Sequence, residues 1–296
     1  MIFAWQGWQI ELPDDWSPVR LEGTFESGCA LLSDIRRARL GLRWATPRHP
    51  FDAKKWASDA MVEEVGQLAA QEAESIGAGR CRDALLYTEA DPPGRDVFVA
   101  TSESSGRLIQ MVHHVYADEP RLIELPPARF LDTRAEDEMA WSVSDLNFRT
   151  AIGWRLKERH INAGEMRLEF ARGADRLSIQ RLSIAHLAIK RRSIEQMLED
   201  QVQPWLKGHR RIGANESLRL ELADHTEVEG LCCRLERRRF RLGHRGSPVG
   251  SVHAVLHDAA RDRILFIDAA DMKAEHDLIK SMEWVSSNAV LEGAMR

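Results

Sequence analysis

Two stretches of this chain repeat one another, and that repetition constrains the fold more than any other feature. The segment "SGCALLSDIRRARLGLRW", Ser27 to Trp44, reads as a β-hairpin: Ala30 and Leu32 lie on one face, a charged turn follows at Asp34 to Arg37, and Leu40, Leu42 and Trp44 resume the alternation. The segment "AGEMRLEFARGADRLSIQRL", Ala163 to Leu182, has the same arrangement. Gly28 falls on Gly164 at an offset of 136, and Leu40 and Leu42 fall on Leu177 and Ile179 at 137, with one extra residue in the later turn.

The match extends in both directions. Upstream, "GWQIELP" at Gly7 pairs with "GWRLKER" at Gly153, each a short strand. Downstream, both copies turn helical. Asp52 is an N-cap with a hydrophobic staple between Phe51 and Trp56, and Ala57, Met61, Val65 and Leu68 follow at helical spacing. In the second copy Ser193 and Gln196 form a capping box ahead of Ile194, Met197, Leu198 and Val202, and Pro204 ends or kinks the helix.

Strand pairs come next. Asp83 to Thr101 is a hairpin around Pro92, Pro93 and Gly94, matched by a hairpin over Val228 to Leu242; the pair over Leu108 to Leu125 matches Gly250 to Asp268. Each copy closes with a helix, one capped by Thr133 with Glu136 in capping-box position, the other following Asp271. The order is strand, hairpin, helix, four strands, helix, twice over. It predicts an α+β fold of two similar domains, residues 1–147 and 148–296, each a mainly antiparallel sheet flanked by two helices. A length of 296 residues with 44% hydrophobic content supplies a core for each.

Each half resembles the PsbP-like fold, a family that includes the DcrB proteins and the Eag chaperones of bacterial secretion systems. The resemblance rests on the opening "GWQIELPDDW" with Trp8, Pro13 and Trp16, on the hairpin that follows, and on the helices from Asp52 and Thr133. It implies binding proteins with no shared catalytic residues.

Charge is unevenly divided. From Ala151 onward there are 25 Lys and Arg against 21 Asp and Glu, and before it 16 against 25, so an acidic half precedes a mildly basic one and the two would attract. A pI near 6.1 argues against nucleic-acid binding by the whole chain. The N-terminus has no basic region before its apolar residues and no window holds 18 uninterrupted apolar residues, so neither a secretory signal nor a membrane span is expected. The four cysteines form no C-x-x-C pair, which fits reduced thiols in the cytoplasm.

Candidate chemistry is sparse. His253 and His257 lie four apart in a predicted strand, roughly 13 Å by strand rise and too far to share an ion. There is no G-x-S-x-G elbow, and "GHRGSPVG" at Gly243 precedes a strand and not a helix N-terminus. No metal, cofactor or catalytic residue is assigned. Two features point to binding. Arg237, Arg239 and Arg241 alternate onto one face of the basic run "RLERRRFRLGHR", as an anion-binding edge, a dock for the acidic half or a guard against edge-to-edge pairing. Trp5 and Trp16 fall outside clear periodicity and are candidate anchors for a partner. The leading expectation is a cytoplasmic, non-enzymatic adaptor or chaperone-like protein, a monomeric pseudo-dimer with a protein partner. The alternatives are an enzyme or small-ligand protein with a site in the cleft between the halves, and nucleic-acid binding through the arginine hairpin.

Overall fold

The computed structural model describes residues 1–47, 74–75, 81–88, 94–117, 130–144, 146–162, 164–221, 227–238 and 249–273. The chain divides into two compact units, Met1–Asp145 and Leu146–Arg296. Among the described residues 64% are in strands and 8% are helical, in three antiparallel sheets. The expected α+β class is therefore corrected to a mostly-β fold.

Unit 1 runs through β1 (Ile2–Trp5), β2 (Trp8–Glu11), β3 (Ser17–Gly23), β4 (Ser27–Ser33), β5 (Ala38–Ala45), β6 (Glu74–Ser75), β7 (Cys81–Thr88), β8 (Gly94–Ser102), β9 (Leu108–Val115), β10 (Phe130–Asp132) and β11 (Met139–Val143). The main sheet has the order β3-β4-β5-β9-β8-β7-β6, and a smaller sheet includes β10-β2-β1-β11. Alternation in β4 and β5 decides which face is buried: Ala30, Leu32, Leu40, Leu42 and Trp44 turn into the core, while Cys29, Gly41 and Arg43 face the other way. Trp8 of the smaller sheet packs on Trp44 of the main one with ring centroids 5.6 Å apart, and Trp5 meets Trp141 edge to face at 5.4 Å. Gly28 is required by this packing, because a Cβ there would lie 2.5 Å from the Trp44 ring.

Buried Arg107 braces the same unit. Its guanidinium donates to the carbonyls of Gln6 at 2.8 Å and Phe25 at 2.7 Å, forms an ion pair with Asp132, and lies 4.1 Å from the centre of the Phe25 ring. One side chain thereby satisfies the turn after β1, the loop after β3 and the end of β10.

Unit 2 comprises β12 (Leu146–Thr150), β13 (Arg155–Ile161), β14 (Glu165–Arg172), β15 (Asp175–Ser183), α1 (Ala185–Ile189), α2 (Ile194–Val202), a 3-10 turn at Trp205–Lys207, β16 (His209–Arg211), β17 (Glu216–Glu221), β18 (Glu227–Arg237), β19 (Val249–Asp258) and β20 (Arg263–Lys273). Its sheet has the order β13-β14-β15-β20-β19-β18-β16, with β17 also on β18. The Ser193–Gln196 capping box is present, with Ser193 N donating to Gln196 Oε1 at 3.0 Å. Met197, Leu198 and Val202 of α2 pack on Cys233, Leu235, Val255 and Ile264.

The two main sheets share one plan: a three-strand meander, then a return meander whose last strand pairs with the third strand of the first. Hairpin β4–β5 matches β14–β15, as the sequence alignment placed them. Two neighbouring matches shift. The segment after Gly153 is β13, which corresponds to β3 and not to the strand after Gly7, and Val228 to Leu242 is not a hairpin, since Glu227–Arg237 is the single strand β18. The return meanders therefore align as β7-β8-β9 with β18-β19-β20.

The closing helix at Thr133 is also corrected. Thr133 uses both its N–H and its hydroxyl on the Gly7 carbonyl, at 2.8 and 2.7 Å, and Met139–Val143 is the strand β11 with all five residues buried. A short, wholly buried apolar run reads the same in helix or strand, and here pairing with β1 decides. After Asp271 the chain continues β20 to Lys273. The helix from Asp52, the second strand over Leu108 to Leu125, the turn at Pro92 and the chain beyond Lys273 lie outside the described residues.

Candidate functional site

Of the residues singled out from the sequence, Trp5 and Trp16 are described in unit 1 and Arg237 in unit 2. Trp5 is fully buried, and Trp16, 6% exposed, stacks on His113 with ring centroids 6.3 Å apart. Neither presents its ring at the surface, because each fills a gap in the unit 1 core. Arg237 is exposed at the end of β18, opposite His209. Its neighbour Arg238 donates from Nε to the His209 carbonyl at 3.1 Å. Arg239 and Arg241 lie outside the described residues, as does "GHRGSPVG".

Among the described residues no three His, Cys, Asp or Glu side chains are grouped to hold a metal. His253 is instead wholly buried in a polar chain. Its Nδ1 lies 2.5 Å from Asp268, which also accepts from Gln201 Nε2 at 2.7 Å, and its Nε2 lies 3.0 Å from the Ser251 hydroxyl. With Nδ1 donating to the carboxylate, Nε2 accepts from Ser251. The connectivity is that of a nucleophilic triad, but Ser251 is 2% exposed and Trp205 covers the imidazole at 5.0 Å. The arrangement fastens the end of α2, through Gln201, and the turn after it, through Trp205, to β19 and β20.

A cavity of about 210 Å³ lies on the face of the unit 1 main sheet opposite its tryptophan core, the face that also buries Val97, Val99 and Val112. It is lined by Arg20, Cys29, Ala30, Leu31, Gly41, Leu42, Arg43, Gln110, Val112 and His114, which come from β3, β4, β5 and β9. Strand register explains the grouping. Glu22, Cys29, Arg43, Gln110 and Val99 face one another in a row across five strands, and Arg20, Leu31, Gly41, Val112 and Val97 form the next row.

Two of these residues are unusual. Gln110 is 1% exposed, and both its amide nitrogen and its amide oxygen are buried without a hydrogen-bond partner. A buried carboxamide with neither function satisfied is rare and costly in a native fold. Gly41 interrupts a strand of ordinary backbone conformation, and a Cβ added to it would approach the nearest described atoms, those of Val112, no closer than 3.8 Å. Neither conformation nor crowding by those atoms accounts for a glycine there. Its effect is to leave the cavity floor bare, as happens where a ligand approaches a strand closely.

The electrostatics favour binding over covalent chemistry. Burial pushes the Cys29 thiol up, against the opposing pull of Arg20, and Arg43 nearby also lowers it. Near neutral pH the sulfur remains a thiol and a weak nucleophile. The described lining includes two guanidiniums and a histidine and no carboxylate.

The equivalent positions in unit 2 are filled differently. By register, Gly41 corresponds to Ser178, Arg43 to Gln180 and Gln110 to Phe266, and Phe266 packs against the α2 cluster. One half thus has an apolar plug where the other has an unsatisfied amide.

Sequence reasoning missed both residues. Gly41 carried a signal, a glycine in the middle of an alternating strand. Gln110 carried a weaker one, a lone carboxamide within "LIQMVHHV". No protein-family profile matches the chain, and no curated protein is similar to it at a significant level.

Proposed function

We propose that this chain is a small-ligand-binding protein whose site is the unit 1 cavity, with the second unit a duplicated partner of the same plan. The observation that carries the reading is Gln110: a carboxamide buried to 1% exposure, with donor and acceptor both unmatched, on a cavity wall. A ligand supplying one acceptor and one donor would complete it. The common strand order of the two sheets supports duplication. The free cysteines accord with a cytoplasmic protein, and no helix among the described residues is long and apolar enough to cross a membrane. This reading takes up the small-ligand alternative in place of the protein-binding adaptor, with its site on the face of one sheet and not in a cleft between the halves.

The test uses the bare floor. Gly41→Val adds a side chain where the described neighbours leave room and should leave the fold intact, since β-branched residues suit strands. A fragment screen by protein-observed NMR on wild type should find compounds that shift the Gln110 side-chain amide, and Gly41→Val should abolish those shifts. Fragments that bind both proteins alike, or none that reach Gln110, would overturn the reading.

A further inference from the structure

A surface of unit 2, separate from the cavity, has the marks of a docking site. The segment that leads from β15 to α2 reads "IAHLAIKRR", Ile184 to Arg192, and Ala185 is its one buried residue. Ala188 and Ile189 rest on the α2 cluster, which anchors the short helix from beneath. Ile184 and Leu187, three residues apart, are large apolar side chains left 49% and 50% exposed. Ile184 is also held in the left-handed backbone region at φ 63°, where a glycine would sit without cost. Packing takes up only half of that side chain, so its strain and its exposure together point outward.

Charge defines what fits there. Lys190 and Arg191 follow Leu187 at spacings of three and four, and Arg191 N donates to the Ala188 carbonyl at 3.0 Å, so the turn carries the same face onward. Both side chains are exposed, and neither has a hydrogen bond or ion pair among the described residues. The neighbouring cations are already matched, His186 to Asp262 at 2.6 Å and Arg192 to Asp200 at 2.8 Å. We infer that this surface docks an acidic segment of a partner protein, with apolar side chains set against Ile184 and Leu187 and carboxylates paired with Lys190 and Arg191. An anionic membrane suits it less well. Asp262 and Asp200 contact the segment and exposed Glu195 follows it, so a flat anionic surface would meet like charge, and two apolar side chains insert little area.

An array of random peptides, probed with the labelled full-length protein, tests the assignment. Bound sequences should combine Asp or Glu with Leu, Ile, Val or Phe. The best of them, carrying a fluorophore, should show by anisotropy a Kd that rises at least fivefold when salt is raised from about 50 to about 300 mM. Leu187→Ser and the pair Lys190→Glu with Arg191→Glu should each weaken it tenfold or more. Ile184→Gly removes strain and apolar side chain together, and should weaken binding while melting no lower than wild type, a combination that a merely structural role would not produce. If no peptide binds, if the bound sequences are basic or uncharged, or if the charge-reversed protein binds them equally well, the assignment fails. Tighter binding to phosphatidylserine vesicles than to any peptide, lost in the charge-reversed protein, would put a membrane in the partner's place and overturn it.

Discussion

Gln110 stands directly opposite Arg43 in the β5–β9 ladder, its carboxamide buried and without a hydrogen-bond partner. Replacing a buried, unsatisfied polar group by an apolar one of similar shape removes a desolvation penalty of about 1 to 3 kcal/mol. Gln110→Leu should therefore raise the urea midpoint of the unliganded protein while lowering ligand affinity. A loss of stability in this variant would mean that the amide is matched in solution.

Arg107 predicts the opposite behaviour. Its guanidinium is buried and fully engaged by Asp132 and by the carbonyls of Gln6 and Phe25. Truncating one partner of a buried pair strands the other, at about 3 to 5 kcal/mol. Arg107→Leu and Asp132→Leu should each lower the stability of unit 1 by that order, and the double variant should cost less than their sum. Strict additivity in urea denaturation would show that the two are not coupled.

Strain is stored at the entrance to α1. Ile184 has φ 63° and ψ 47°, the left-handed region, which a β-branched residue adopts only when held there, and it is 49% exposed. The hold comes from Asp262, whose carbonyl accepts from Ala185 N at 2.9 Å and whose carboxylate accepts from His186 N at 2.7 Å. Ile184→Gly should relieve about 1 kcal/mol or more of strain at little cost in packing. A higher melting temperature by calorimetry is expected, and a fall of several degrees would contradict the assignment.

How far the sequence disclosed this architecture depended on which alternation was local. Hairpin β4–β5 was legible because Leu40, Leu42 and Trp44 alternate with polar residues around an aspartate turn, and α2 was legible because Ser193 and Gln196 cap it within four residues. Met139–Val143 was not: five buried residues in a row have no period, and pairing with β1, more than 130 residues earlier, goes with the strand form. Val228 to Leu242 misled in the opposite way, since its charged residues looked like a turn, but Arg234 and Glu236 are half-buried on one face of a continuous strand paired on both sides, with Arg234 beside Glu216. The candidate site was hidden for a related reason. Gly41 and Gln110 lie 69 residues apart and meet only through the register of β5 on β9.

The last prediction concerns acid. Arg211 lies against Glu199, with one guanidinium nitrogen donating at 2.8 Å, and that hydrogen bond holds the Glu199 carboxyl below its ordinary range; Asn215 nearby adds to the effect. A carboxylate depressed on folding contributes stability above its unfolded value of about 4.3 and loses that contribution as pH falls through the folded value. Because Glu199 is 46% exposed, solvent screening keeps the gain near the exposed-pair range of about 0.2 to 1 kcal/mol. Wild type should therefore exceed Glu199→Gln in urea midpoint at pH 7, with the gap closing below about pH 4. The variant should also show a smaller gap at high salt, where exposed pairs are screened. A gap that persists unchanged at pH 3 would mean that the side chain acts through packing on α2 and β16 and not through its charge.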